Sequence, residues 1–179
     1  MPSFPIRRSS RSTLRLLVAG VVLASAVLLA AQNPPPLPAT TGQTLAASSL
    51  VLAQAVRGHR AILVASFSRD SNQASSEWMR ALHSDAAFSQ STCYQIVMLQ
   101  KAPGFVRGII HAAMRRQTPE PWQPYTVILT ADESAWRAWF GVKDDSQPWI
   151  VALSANGRIV WRGHGGYADA AASLKAAIR

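Results

Sequence analysis

Residues 148–166 read PWIVALSANGRIVWRGHGG, and the fold turns on how they are taken. Trp149 to Leu153 is a short, near-continuous apolar run with β-branched members, the pattern of a strand buried on both faces. Behind it, Asn156-Gly157 offers two residues that tolerate positive φ, which predicts a reversal and an antiparallel partner over Arg158 to Arg162. Working back along the chain, Ala61 to Phe67, Gln95 to Leu99 and Thr126 to Leu129 are runs of the same kind. Helical periodicity fills the gaps. Ser75 to His83 places Trp78 and Leu82 on one face, and Gly104 to Gln117 groups Val106, Ile110 and Ala113 with Ile109 and Met114. Asp132 to Phe140 groups Trp136, Trp139 and Phe140, and Ala168 to Ile178 groups Ala171, Leu174 and Ile178. Thr130 or Asp132 is placed to cap the third of these helices, with Glu133 favourable in its first turn. Ser49 to Leu52 reads as a further edge strand. Alternating strands and helices require crossovers, which predicts an α/β fold around a mostly parallel, overall mixed sheet flanked by helices.

The 179 residues include one cysteine, 18 Lys+Arg and 9 Asp+Glu. That length is a single folded core plus a short appendage. A lone thiol excludes an internal disulfide, a Cys-x-x-Cys pair and a cysteine-based zinc site. No acidic residue precedes Asp70, whereas Arg7, Arg8, Arg11 and Arg15 lead into an uncharged apolar run from Leu16 to Ala31. A basic stretch, an apolar stretch and small residues such as Ala24-Ser25-Ala26 or Ala30-Ala31 describe a secretory signal, or an anchor retained through residues 14–31. Residues 1–31 are therefore assigned to this signal or N-terminal anchor helix. Residues 32–43, with prolines at 34, 35, 36 and 38, are assigned to an extended linker, and residues 44–179 to the folded domain. The expected location is extracytoplasmic, periplasmic or secreted. Without its four N-terminal arginines the chain keeps 14 basic against 9 acidic residues, with no basic stripe interleaved with aromatics, so nucleic acid is not an expected partner. His59, His83, His111 and His164 show no metal-ligand spacing, and neither a metal nor a cofactor is expected.

The order strand, helix, strand, helix, strand, helix, then a Pro-initiated hairpin and a last helix resembles the thioredoxin-like superfamily over about Thr44 to Arg179. Pro148 occupies the place where that superfamily carries its cis-proline. Its redox cysteines lie after the first central strand, where this chain has Phe67-Ser68-Arg69-Asp70-Ser71-Asn72-Gln73 and no thiol. A serine hydroxyl neither ionises usefully nor forms a mixed disulfide, so the oxidoreductase activity does not carry over. The closing Gly157-Arg158-Ile159-Val160-Trp161-Arg162-Gly163-His164-Gly165 is similar to the Gly-Arg-Ile-Arg-Trp-x-Gly-x-Gly ending of the assembly-factor family of the mitochondrial F-type ATP synthase, departing at Val160. That family is itself thioredoxin-like without an active cysteine pair.

These resemblances imply a redox-inactive module that binds a protein partner, with a membrane protein as one candidate. Arg69, Asp70 and Asn72 stand at a helix N-terminus suited to an anion or carboxylate, or to plain capping by Ser71 to Ser76. Trp122, between Pro121 and Pro124, is either an interface anchor or a rigid cover for the sheet edge. Pro148, Trp161 and His164, the last lying between glycines, complete the candidate binding set. Two rival readings are a peroxiredoxin-like enzyme using Cys93 or a partner's thiol, and metal or haem carriage through His164 and His111. Cys93 itself is expected before the second central strand, as a small hydrophobe or idle thiol.

Overall fold

Seven strands make one mixed sheet: β1 (Thr41–Thr44), β2 (Ser49–Val51), β3 (Arg60–Ser66), β4 (Ser91–Met98), β5 (Thr126–Leu129), β6 (Trp149–Leu153) and β7 (Ile159–His164). Their order across the sheet is β2-β1-β5-β4-β3-β6-β7. The β3–β4 and β4–β5 pairs are parallel and the other pairs antiparallel, so the parallel part is the centre only. Among the described residues five α-helices accompany them: α1 (Leu52–Ala55), α2 (Arg69–Ser84), α3 (Gly104–Gln117), α4 (Glu133–Phe140) and α5 (Tyr167–Ile178). Short 3₁₀ turns stand at Ala86–Phe88 and Glu120–Tyr125. The structure, a computed structural model, describes residues 35–178. The expected signal or anchor segment and the first three residues of the linker, 32–34, lie outside the described residues. From Pro36 onward the chain is one compact unit. No helix among the described residues is long and apolar enough to cross a membrane.

Strand alternation divides the core. Leu63, Ala65, Tyr94, Ile96 and Val151 point to the face covered by Leu52, Trp136, Trp139 and Phe140. Ile62, Val64, Cys93 and Ile150 point to the other face, covered by Trp78, Met79 and Leu82 of α2 and Leu174 of α5. A smaller cluster seats Met114 of α3 on Leu45, Val97 and Ile128. Phe88, Phe140, Leu52 and Ile62 are among the side chains sealed from water, each stabilising the fold by about 1.5–3 kcal/mol relative to an exposed position.

The expected bounds of β5, β6 and α3 hold, and α4 and α5 differ by a single residue at their starts. Four expectations need correction. α2 begins at Arg69, six residues before Ser75, because Ser68 caps it. β4 begins at Ser91 rather than Gln95, so Cys93 is inside the strand, opposite Ile62 of β3, and not in front of it. Thr41–Thr44, partly assigned to the linker, pairs with both β2 and β5 as β1. In the hairpin only Gly157, at φ 77°, takes a positive φ. Asn156 instead accepts a hydrogen bond from the Ser154 hydroxyl (2.6 Å), and Gly157 N–H donates to the Ser154 carbonyl.

Candidate functional site

The junction of β3 and α2, where the resemblance leads one to expect a thiol, is closed by its own residues. Ser71 N–H donates to Ser68 Oγ and Ser68 N–H donates to Ser71 Oγ, each at 3.2 Å, a reciprocal capping box that satisfies two donors at the helix start. The Ser68 hydroxyl in turn donates to the Asp145 carbonyl in the loop before β6. Three further bonds hold that loop, the last of them internal to it. Arg137 Nη2 pairs with Asp145 (2.6 Å), Trp149 Nε1 donates to the Asp144 carbonyl (2.7 Å), and Ser146 N–H donates to the Asp144 carboxylate (3.0 Å). Arg137 Nε also pairs with Glu133 (2.7 Å), which Lys101 Nζ approaches at 3.1 Å, and the guanidinium lies 5.1 Å over the Phe67 ring. Burial pushes the Glu133 carboxyl up, but the hydrogen bonds from Arg137 and Lys101 outweigh it and hold the group below its ordinary range.

Arg69 and Asp70 are exposed on the first turn of α2. Pro148 is buried and, with no cis peptide bond among the described residues, follows a trans bond. His164 is exposed, with its ring 4.8 Å from that of Trp149 and Nδ1 3.3 Å from Gln147 Oε1. Trp161 lies elsewhere, half-buried on the edge strand β7 against the α2–α5 side of the core. The backbone of Gly163 lies against its ring, where a Cβ would overlap it. The expected capping by Asp132 takes another form: its backbone sits at φ 59° and its carboxylate accepts from Thr40 Oγ1 (2.7 Å), while Gln100 Oε1 accepts from Glu133 N–H (2.7 Å).

Asn72 and Trp122, 50 positions apart in the chain, come together in a groove of about 350 Å³ between α2 and α3. Its floor is Gln95 of β4, 4% exposed, whose Nε2 donates to Ser75 Oγ (3.1 Å) and Ser76 Oγ (3.3 Å). Met79 and Met114 line its apolar part and Gln117 lies on the α3 side. Trp122 forms one wall, its ring stacked on His83 at 4.5 Å and 9°. The Trp122-bearing 3₁₀ turn is held by Gln123 Nε2, which donates to the carbonyls of Arg115 and Thr118. A floor of amide and hydroxyl groups under thioether and indole walls suits a mixed polar and apolar ligand such as a peptide segment. Gln95 carries no mark as a site residue in the sequence beyond being the one polar member of an otherwise apolar run.

Cys93 is 5% exposed on β4, and burial pushes its thiol up to about 12. The thiolate is the nucleophile, so at neutral pH this group has almost none to offer. Among the described residues no three His, Cys, Asp or Glu side chains converge as a metal site.

No family model and no curated protein matches the chain. Solved structures do. StoA from Bacillus subtilis is 12% identical over 81% of this chain and 100% of its own, with a TM-score of 0.53. BsSco, a member of the Sco family of cytochrome c oxidase assembly proteins, is 15% identical over 82% of this chain and 95% of its own (TM-score 0.52). The fold is thioredoxin-like. A third match within this thioredoxin-like group is the exposed lipoprotein thioredoxin Etrx1 of Streptococcus pneumoniae strain TIGR4, 11% identical over 76% of this chain and 96% of its own, with a TM-score of 0.51.

Proposed function

We propose that this thioredoxin-like chain performs no thiol–disulfide chemistry and acts outside the cytoplasm by binding a protein partner. The observation that carries the reading is the junction at Ser68: its hydroxyl accepts from Ser71 N–H and donates to the Asp145 carbonyl, while the chain's one thiol lies buried in β4. A redox site needs an accessible thiolate at a helix start with its N–H groups free to stabilise it. Here the helix start spends those groups on a serine. The groove lined by Asn72, Gln95 and Trp122 is the binding face. Trp122 presents a rigid aromatic wall and Gln95 a buried amide, the combination of anchor and orienting polar group that peptide recognition uses.

Two further points support the setting. The arginines at 7, 8, 11 and 15 before an uncharged apolar run favour export or anchoring, and one of the structural neighbours is described as an exposed lipoprotein. An assembly role is the finer form of the proposal. It rests on the closing Gly157 to Gly165 resemblance, and a Sco-family assembly protein of the same fold is a precedent for such use.

The test places a photo-crosslinking amino acid at Gln117, on the groove, and separately at Arg158, on the exposed hairpin, in the full chain in its native membrane fraction. A discrete heavier product at position 117 and none at 158 is expected, with no reduction of insulin disulfides by the purified protein. Insulin turnover, or a product of equal yield at both positions, overturns the reading.

A further inference from the structure

Four large apolar side chains among the described residues stand out as exposed, and the two most exposed, Phe105 (79%) and Ile109 (66%), lie on one helix, α3. Four positions apart, they share a face, and Ala112 and Arg116 continue it at helical spacing. Met114 is the single buried residue of this helix, so α3 rests lightly on the sheet and presents most of its surface outward. The expectation that Ile109 joins the core face is corrected here.

Charge around this face has one sign. No acidic residue occurs from Ala86 to Pro119, whereas Lys101, Arg107, Arg115 and Arg116 all do. Lys101 is paired with Glu133. The other three keep their charge uncompensated by any carboxylate within ion-pair distance among the described residues. Arg107, seven positions from the buried Met114 and so on the side away from Phe105 and Ile109, donates to the neutral carbonyls of Ala102 and Gln100, both at 2.8 Å. Arg115 and Arg116 put two cations in the last turn of α3.

We propose that α3 lies in the surface of an anionic lipid bilayer, with Phe105 and Ile109 inserted at the headgroup–acyl boundary and Arg115 and Arg116 on the lipid phosphates. The occupant follows from charge complementarity and shape. The two apolar side chains project outward from α3, 79% and 66% exposed, and a deformable apolar boundary receives them with no need of a matching pocket. Cations beside an exposed apolar pair on one helix are the arrangement by which interfacial helices hold anionic membranes.

The experiment reconstitutes the full chain into vesicles of phosphatidylcholine alone or of equal parts phosphatidylcholine and phosphatidylglycerol, each carrying a trace of acyl-diazirine phospholipid. Residues 16–31 are apolar enough to hold the chain on either vesicle, so the readout is where lipid adducts map after illumination. Adducts within residues 101–117 are expected in the phosphatidylglycerol vesicles. They should fall by about fivefold for each arginine neutralised in R115Q/R116Q, and fall likewise at about 1 M salt, where screening acts within about 3 Å. Phe105→Ser/Ile109→Ser should lose them while its circular dichroism matches the parent. Adducts in equal yield on phosphatidylcholine alone, adducts spread equally over α5, or adducts that survive Phe105→Ser/Ile109→Ser overturn the proposal. A protein cross-link at 105 or 109 in native membranes with no lipid adduct there overturns it in favour of a protein partner.

Discussion

Ser68 shows how much one side chain decides. It accepts from Ser71 N–H, donates to the Asp145 carbonyl and so joins the start of α2 to the loop ahead of β6. Ser68→Ala removes both bonds and leaves the helix-start donor uncapped, at an expected cost of about 1–2 kcal/mol in urea unfolding, with Ser68→Thr recovering most of it. An unchanged midpoint would mean the cap is idle. The signal for this cap was present in the sequence as Ser68 with Asp70 in the first turn, but Ser75-Ser76-Glu77 offers a start of the same kind seven residues on. Local propensity does not choose between two such starts. The choice comes from Asp145, 77 positions away, which sequence periodicity does not reach. Cys93 illustrates the same limit: Ser91-Thr92-Cys93-Tyr94 reads as a polar lead-in, yet pairing with Arg60 to Leu63 draws it into the strand.

Among the elements, β1 was illegible for a reason that can be stated. Thr41–Thr44 contains no apolar side chain, and Gly42 lies so close to β5 that a Cβ there would overlap Val127 and Leu129. The packing that buries this strand is the packing that forbids it a hydrophobic signature. β5, β6 and α3, by contrast, are bounded by prolines and loops that end their patterns cleanly, and their limits were readable. α4 and the loop at 143–147 form a charged latch through Glu133, Arg137 and Asp145. Asp145 is held below its ordinary range by the Arg137 hydrogen bond, as Glu133 is by Arg137 and Lys101 against its own burial. A carboxyl depressed in the folded state stabilises it fully above its unfolded value, ordinarily 4.5 for Glu133, and that contribution disappears as pH falls through the folded value. Glu133→Gln should therefore lose about 1–2 kcal/mol at pH 7. The gap from the parent should close in urea titrations taken progressively below the ordinary Glu range. A gap that stays constant down to the acid limit would rule out the latch as its source.

Across the whole molecule, burial is concentrated at the sheet centre and thins toward α3. Ile62, Leu63, Val64 and Ala65 of β3 are at most 1% exposed, while α3 buries Met114 alone. Native-state hydrogen exchange should rank β3, β4 and β6 amides slowest, α2 and α5 next, and α3 fastest among the longer helices, because local opening follows the apolar contacts that must be broken. Protection of α3 equal to that of α2 would contradict this order. The fold class was legible because the sheet centre carries its own pattern in Ala61 to Phe67, Thr126 to Leu129 and Trp149 to Leu153. The groove was legible only by halves. Trp122 and Asn72 drew attention singly, but Gln95 belongs to the site through a tertiary position that a single polar residue in an apolar run does not disclose.

The placement of β1 between β2 and β5 has a consequence for how the chain is made. A ribosome delivers β1 and β2 first, and these two can pair with each other at once. The other side of β1 is matched to Val127 and Ile128, and Thr40 to Asp132, so that side waits until more than half the chain has been synthesised. β3 waits longer, since its second neighbour is β6. Closing such distant pairs is slow compared with local hairpins and helices. A nascent chain halted before residue 126 therefore exposes three open strand edges at once, those of β1 and β4 that await β5 and that of β3 that awaits β6, the state in which a holding chaperone has the most to bind and a stalled ribosome the most to lose.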